Sequence, residues 1–401
     1  MPMDEPRLVV VSADGHVGPP MEDYRPYLDP DLRDEFDGFL TGHTLRWTPE
    51  SPDSMFRAST RARQREHPRA TDDAYTSLFD PVRRAAELDV DGIVAEVLFP
   101  DDQNGNTPPW LAGVAPEALD RVYPADLRMA GARAYNRWLA EFCHAAPDRF
   151  LGQILLGSLA DVDGAVAEVR RAHRDGLTSG LFLPLSYDLP LYHHPRYEPL
   201  WDVCDELGVT VTVHASDGGP PWFGEGWRAA AVYLSEINFY AQRPLWCFVF
   251  GGVFERHPDL RVVFTEQGSS WVPDLLRRLD GTAQSTMMKW TEVDPLPALP
   301  SELFARHCTI GNSLMTRADV DAREAVGTGV LAWGSDFPHL ESSWPRVADT
   351  LRTLFAGVPE TEARAILGTN LAAAYRLDAD ALTRRAATIG PTPASLDVGE
   401  A

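Results

Sequence analysis

The sequence predicts an α/β fold of the (β/α)8 barrel type, a TIM barrel with an insertion after strand 1 and a C-terminal extension. Three observations point there. Eight short apolar runs recur along the 401 residues, and amphipathic helical patterns separate most of them. Asp14 with His16, then His214, then Asp336 stand where three of those runs end. Parallel strands need helical crossovers, and the carboxyl ends of barrel strands converge on one mouth.

The first run is residues 8–12 (LVVVS), followed by 93–99 (IVAEVLF), 154–157 (ILLG) and 180–184 (GLFLP). The later runs are 209–214 (VTVTVH), 261–266 (RVVFTE), 308–312 (CTIGN) and 330–333 (VLAW). Between them, residues 81–89, 116–145, 162–175, 197–207, 271–279 and 317–326 carry helical patterns. No Gly-rich nucleotide fingerprint follows an early strand, and no linker-like composition divides the middle. A single barrel over residues 1–378 is therefore expected, rather than an open doubly wound sheet or two α/β domains. Residues from about 32 to 77 are polar and Arg-rich, with Arg57, Arg61, Arg63 and Arg65 among them. Loops after barrel strands cover the mouth, which makes this insertion a candidate lid. Residues 379–401 read as a loosely held tail.

Composition narrows the partners. The formal net charge of −23 argues against nucleic acid and against an anionic membrane face, leaving a small-molecule substrate. No apolar stretch approaches the roughly 18 residues that cross a bilayer, and the acidic start runs straight into a strand instead of forming a signal peptide. The expectation is a soluble, cytoplasmic protein. Cys143, Cys204, Cys247 and Cys308 form no C-x-x-C pair and read as buried, reduced thiols. Basic charge is almost wholly Arg; Lys289 is the one lysine.

Two His and two Asp gathered at one barrel mouth make a divalent-metal site. In Asp14-Gly15-His16 the acid and the imidazole are two residues apart, so an extended backbone points both the same way. Gly15 lets the chain turn tightly between them.

These residues resemble the amidohydrolase superfamily. More narrowly, they are similar to its branch around aminocarboxymuconate semialdehyde decarboxylase and the resorcylate and carboxyvanillate decarboxylases. The motifs that carry the resemblance are Ser12-Ala13-Asp14-Gly15-His16 and Val213-His214, then Gly251-Gly252-Val253-Phe254-Glu255-Arg256-His257-Pro258 with Val262-Val263-Phe264-Thr265-Glu266, and Gly334-Ser335-Asp336-Phe337-Pro338-His339. The resemblance implies that Asp14, His16, His214 and Asp336 hold a metal, and that the protein is a homodimer. Two-metal relatives bridge their ions with a carboxylated Lys at the end of strand four. Here Leu183-Pro184-Leu185 stands there and Lys289 lies between strands six and seven, so one divalent ion is expected. Zn2+ is the first choice, with Mn2+ its competitor, since His with carboxylates suits both.

The branch presents His at the sixth-strand end, where this chain has Glu266. That carboxylate reads as a fifth ligand, a general base, a hydrogen-bond anchor or a structural partner of an Arg. His339, three residues after Asp336, is expected near the rim as a proton donor, a substrate contact or a packed structural His. His257 precedes a strand and belongs to the opposite face, and His193-His194 reads as surface. Trp110, Tyr187, Trp222, Phe223, Trp227 and Trp344 follow strand ends, and such walls suit a small aromatic or unsaturated carboxylic acid. An Arg of the lid, or Arg228, is a candidate to pair with the substrate carboxylate.

Two reactions use this site. In a non-oxidative decarboxylase the ion acts as Lewis acid and Asp336 delivers a proton to the carbon that loses carbon dioxide. In a hydrolase of an amide, lactone or carbon–carbon bond, Asp336 takes a proton from a metal-activated water. Glu266 suits the second and the resemblance favours the first. Decarboxylation is the expectation, with hydrolysis the alternative.

Overall fold

Among the described residues the strands are buried on both faces, so most read as apolar runs; 209–214 (VTVTVH) alternates, yet Thr210 and Thr212 are buried as fully as the valines. The computed structural model describes residues 6–46, 67–71, 73–101, 103–111, 123–185, 189–215, 226–288, 295–339 and 341–399. The strands are β1 (Val11–Ser12), β2 (His16–Val17), β3 (Ala95–Pro100), β4 (Phe150–Leu155) and β5 (Gly180–Phe182). They continue as β6 (Thr210–His214), β7 (Val262–Thr265), β8 (Cys308–Asn312) and β9 (Leu331–Trp333). All pair in parallel, in the order β1-β3-β4-β5-β6-β7-β8-β9, with β2 also on β3. The first barrel strand is thus broken into β1 and β2. Backbone hydrogen bonds from Ala13 N to Trp333 O (3.0 Å) and from His16 N to Phe337 O (2.8 Å) join it to the last strand and close the ring.

The break has a clear register. Ser12 pairs with Glu96 and His16 with Phe99, so four residue steps on the first strand face three on β3. One residue is surplus, as in a β-bulge, and such bulges re-aim side chains. Asp14 and His16 are therefore not on one extended segment, as the sequence suggested. A kink lies between them.

The crossover helices start and stop on local signals. Asp80 accepts from Val82 N and Arg83 N to cap the helix Pro81–Asp91, and Gly92 ends it at φ 73°. Asp161 caps Val162–Arg174, and Gly208 ends Glu198–Leu207. Other elements depart from expectation. β4 begins at Phe150, four residues before the run read as a strand. The pattern over 317–326 breaks into Arg317–Asp321 and Arg323–Val326. Of the pattern over 116–145, Ala125–His144 is a helix and residues 116–122 lie outside the described residues. A 25-residue helix, Gly226–Phe250, follows β6, where no helix was expected. Its buried residues Tyr233, Ile237, Ala241, Leu245 and Phe248 recur at helical spacing, but Pro244 and the exposed Phe239 interrupt that stripe in the sequence. No helix among the described residues is long and apolar enough to cross a membrane.

The insertion is ordered where it is described. Arg33–Arg46 is a helix, and its Phe36 meets the Trp110 ring edge-on at 6.2 Å. Ala70, Ala74, Tyr75 and Leu78 form a small apolar cluster with Phe337 and Trp344, beside the last strand end. Residues 47–66, with Arg57, Arg61, Arg63 and Arg65, lie outside the described residues.

The segment expected to be a loose tail is instead packed. Asp378 caps the helix Ala379–Ile389, Leu8 N donates to Pro391 O at 2.8 Å, and Gly357 N donates to Asp397 O at 2.8 Å. Leu382, Ala386 and Leu396 are buried in the main core. Their apolar spacing is short and flanked by polar residues, so it carries little signal without its receptor surface. Leu396→Ala is expected to lower the unfolding free energy by about 2–4 kcal/mol in urea titrations. A tail held only loosely would give no change.

Candidate metal centre

The barrel-closing seam places the acidic and imidazole side chains. Asp336 N donates to Asp14 O at 3.1 Å, and the Ser12 and Ser335 hydroxyls donate to the same carbonyl at 2.6 and 3.1 Å. With its backbone held outward in this way, the Asp14 carboxylate turns into the mouth. His16 Nδ1 lies 2.9 Å from Pro100 O, and His214 Nδ1 lies 2.7 Å from Ala215 O. A carbonyl only accepts, so both Nδ1 atoms carry a hydrogen, which leaves Nε2 as the atom each ring can offer to an ion.

Those Nε2 atoms converge on carboxylates. His16 Nε2 is 3.3 Å from Asp14 Oδ1 and 3.1 Å from Asp336 Oδ1, and His214 Nε2 is 3.4 Å from Asp14 Oδ1. Asp14, His16, His214 and Asp336 are all buried. His16 Nε2 and both carboxylate oxygens of Asp336 nonetheless make no hydrogen bond. Donor atoms about 2.0–2.2 Å from one shared ion stand about 3.0 Å apart in an octahedron and about 3.4 Å apart in a tetrahedron. The observed spacings match that range, and a nitrogen–oxygen donor set suits a borderline divalent ion. The four predicted residues fall into two overlapping groups that share His16: Asp14, His16 and His214, then His16, Asp336 and His339.

His339 is deeper than expected. Its ring stacks on His16 with centroids 3.6 Å apart, and its Nδ1 lies 3.1 Å from Asp336 Oδ1. It is buried, not at the rim. Asp336 and Glu266 both adopt left-handed backbone, with φ 59° and 58°. Such conformations cost non-glycine residues about 1–3 kcal/mol each and cluster at functional sites. The turn swings the Glu266 carboxylate to 3.4 Å from His214 Nδ1, and its own N–H to Gly311 O at 3.0 Å.

Sequence reasoning missed four contributors. Ser313, just past β8, donates its hydroxyl to Asp14 Oδ2 at 2.5 Å. Glu341 joins Glu266, Asp336 and His339 in one group of converging polar atoms and accepts from Gln103 Nε2 at 3.0 Å. Arg84 and Glu96, both fully buried, form an ion pair at 2.8 Å behind the seam. Strand-end position was the only signal for Ser313; Glu341 follows Asp336 by five residues in an irregular loop, where spacing predicts nothing.

Phe99 and Phe182 line the wall beside His214, with centroids 4.5 and 5.7 Å from its ring. Trp110 and Trp344 pack elsewhere, against Phe36 and against Phe337. Tyr187, Trp222 and Phe223 lie outside the described residues, as do Lys289 and the Trp227 side chain. Arg228 is exposed, as are His193 and His194. His257, buried on the opposite face, holds Glu198 at 2.9 Å.

The electrostatics are those of a crowded acidic pocket. Burial pushes the Asp14 carboxyl up, but the neighbouring His214 and His16 more than reverse that and hold it well below the carboxylate range. Burial, then the charges of Asp336 and Asp14, push Glu266 well above its ordinary value. A cation would invert that local logic.

Against known proteins, the amidohydrolase family model matches residues 86–377. The 2-amino-3-carboxymuconate-6-semialdehyde decarboxylase of Dictyostelium discoideum is 26% identical over 205 residues, covering 49% of this chain and 50% of that protein. The chain thus spans about half the length of this curated relative. The solved 5-carboxyvanillate decarboxylase of Sphingomonas paucimobilis superposes with a TM-score of 0.65 at 20% identity, covering 92% of this chain and 100% of that one. A dihydroxybenzoic acid decarboxylase from a Polaromonas species, solved with manganese and the inhibitor 2-nitroresorcinol, gives 0.57 at 18% identity, covering 93% and 98%.

The raised Glu266 group has a thermodynamic sign. The metal-free folded chain keeps a proton that the unfolded chain releases near 4.5. Its stabilising contribution is therefore complete below that pH and is lost as pH rises through the raised folded value. In chelator-treated protein, the unfolding free energy of wild type minus that of Glu266→Gln is expected to fall as pH rises above about 4.5 toward the raised folded value. A flat difference across urea titrations would contradict it.

Proposed function

The chain belongs to the amidohydrolase family, and from that premise we propose that it is a metal-dependent non-oxidative decarboxylase of a small aromatic or unsaturated carboxylic acid. The observation that carries this reading is the Asp336 carboxylate, buried without a hydrogen bond between His16 and His339. The likeness to the Dictyostelium decarboxylase supports it.

Asp14, His16, His214 and Asp336 hold the ion in this reading. The bound ion supplies Lewis-acid polarisation of a substrate oxygen. The rest is the work of the chain. His16 and His214 keep their Nε2 atoms aimed inward because carbonyls occupy their other nitrogens. Phe99 and Phe182 exclude water from one side of the site. Asp336 passes a proton to the substrate carbon that bears the carboxylate. The bond to the carboxylate carbon then breaks, its electron pair stays with the protonated carbon, and carbon dioxide leaves. His339, 3.1 Å from Asp336, is placed to return that proton.

Hydrolysis is the second reading, and Glu266 is the observation that favours it. Its carboxylate converges with those of Asp336 and Glu341 and with His339, so it is available to a water as a base. Finer parts of the proposal are Zn2+ in preference to Mn2+, a homodimer, and a cytoplasmic location.

Purified protein is expected to carry about one equivalent of divalent ion, and His214→Ala to release it. Metal analysis giving two per chain, or none, contradicts the site. Asp336→Asn should lower kcat for carbon dioxide release by about 100-fold or more while the fold persists by circular dichroism. Aromatic carboxylic acids, screened beside amide and lactone panels, separate the two reactions. Turnover confined to the second panel would overturn decarboxylation.

A further inference from the structure

We propose that Arg84 and Glu96 are positioning residues for the metal centre, forming a buried clamp that fixes the two strand ends carrying His16 and Asp336 relative to one another. The inference rests on the metal reading above. Arg84 lies on the helix Pro81–Asp91 and Glu96 on β3, and neither side chain reaches solvent. Arg84 Nε donates to Glu96 Oε2 at 2.8 Å. Its Nη1 donates to His16 O and its Nη2 to Phe337 O, each at 3.1 Å. One planar cation therefore bridges the backbone of His16 and the backbone of the residue after Asp336, from behind the mouth. The Phe337 ring lies under the guanidinium, 4.5 Å from it.

Glu96 completes the clamp from the other side. Its Oε1 accepts from the Ser335 hydroxyl at 3.3 Å, the same hydroxyl that donates to Asp14 O. Gly15 is what lets the clamp approach so closely. A Cβ there would stand 2.3 Å from Glu96 Oε1 and 2.6 Å from Arg84 Nη2. His16 Nε2 and Asp336 Oδ1 are only 3.1 Å apart on the mouth side of this seam. Small shifts between the two strands would change that spacing directly.

Stability is a weak account of the pair, since buried ion pairs are often replaced by apolar residues without loss. Geometry is a better one. A guanidinium offers rigid, divergent donors that span two carbonyls at a fixed separation, which an ammonium cannot do. Groups that orient metal ligands in this way commonly affect affinity by about 10- to 100-fold.

The test uses the full chain with Arg84→Lys, Glu96→Gln and the double variant Arg84→Met/Glu96→Leu, which leaves no unpaired buried charge. Amide hydrogen exchange is followed in metal-free protein, and Zn2+ and Mn2+ affinity is measured by chelator competition. Exchange is expected to accelerate selectively in residues 12–18 and 334–339, with affinity falling about 10- to 100-fold, in all three variants. If a single variant fails to fold, the double variant decides. Wild-type exchange in both segments with affinity within about twofold overturns the clamp, as does acceleration spread evenly over the chain. If wild type binds neither ion, the metal reading falls, and exchange at the seam alone decides whether the clamp exists.

Discussion

The first barrel strand can meet the last only if residues 13–16 follow residues 333–337 through a kink, and most of the site follows from that seam. Three backbone hydrogen bonds cross it, from Ala13 to Trp333, from Asp336 to Asp14 and from His16 to Phe337. The surplus residue between β1 and β2 turns Asp14 inward. The left-handed turn at Asp336 does the same on the opposite side. Ring closure and site assembly are thus the same set of contacts. A strained backbone at one strand end is tolerated because the neighbouring strands leave it no other path.

The mouth gathers more negative charge than the barrel needs for folding. Asp14, Glu266, Asp336 and Glu341 lie about one small pocket, with imidazoles between them. Two like charges about 4 Å apart repel by about 4 kcal/mol at an effective dielectric constant of about 20. In the metal-free chain part of that repulsion is relieved by protonation, which is the sense of the raised Glu266. A divalent cation would relieve it more fully. The same crowding separates the roles of the acids. Asp14 is held ionised by two imidazoles, whereas Glu266 is pushed toward its neutral form. Pairs of carboxyls driven apart in this way are what acid–base chemistry requires.

The seam also shows where legibility in the sequence ends. Asp14, His16, His214 and Asp336 were visible because each terminates a short buried run, and a parallel barrel sends all such ends to one face. Ser313 shared that position but lacked a distinctive chemistry. Glu341 and the pair Arg84–Glu96 had neither a periodic position nor a motif, so nothing local marked them. The helix Gly226–Phe250 escaped because Pro244 and the exposed Phe239 masked its buried stripe. The segment after Ala379 looked loose because its few apolar residues gain meaning only against the surface that receives them, near Leu8 and Val358.

By itself the sequence determined the barrel, the order of its strands and the strand ends that carry Asp14, His16, His214 and Asp336, because burial on both faces and strand-terminal position are written locally. Tertiary structure alone decided which of those ends touch and at what spacing. It set His339 against His16, turned Glu266 onto His214 and placed Arg84 and Glu96 behind them. Those contacts join residues hundreds of positions apart; Arg84 and Phe337 alone are separated by 253. They depend on one surplus residue in the first strand and on the closure of the ring, and no local pattern encodes either.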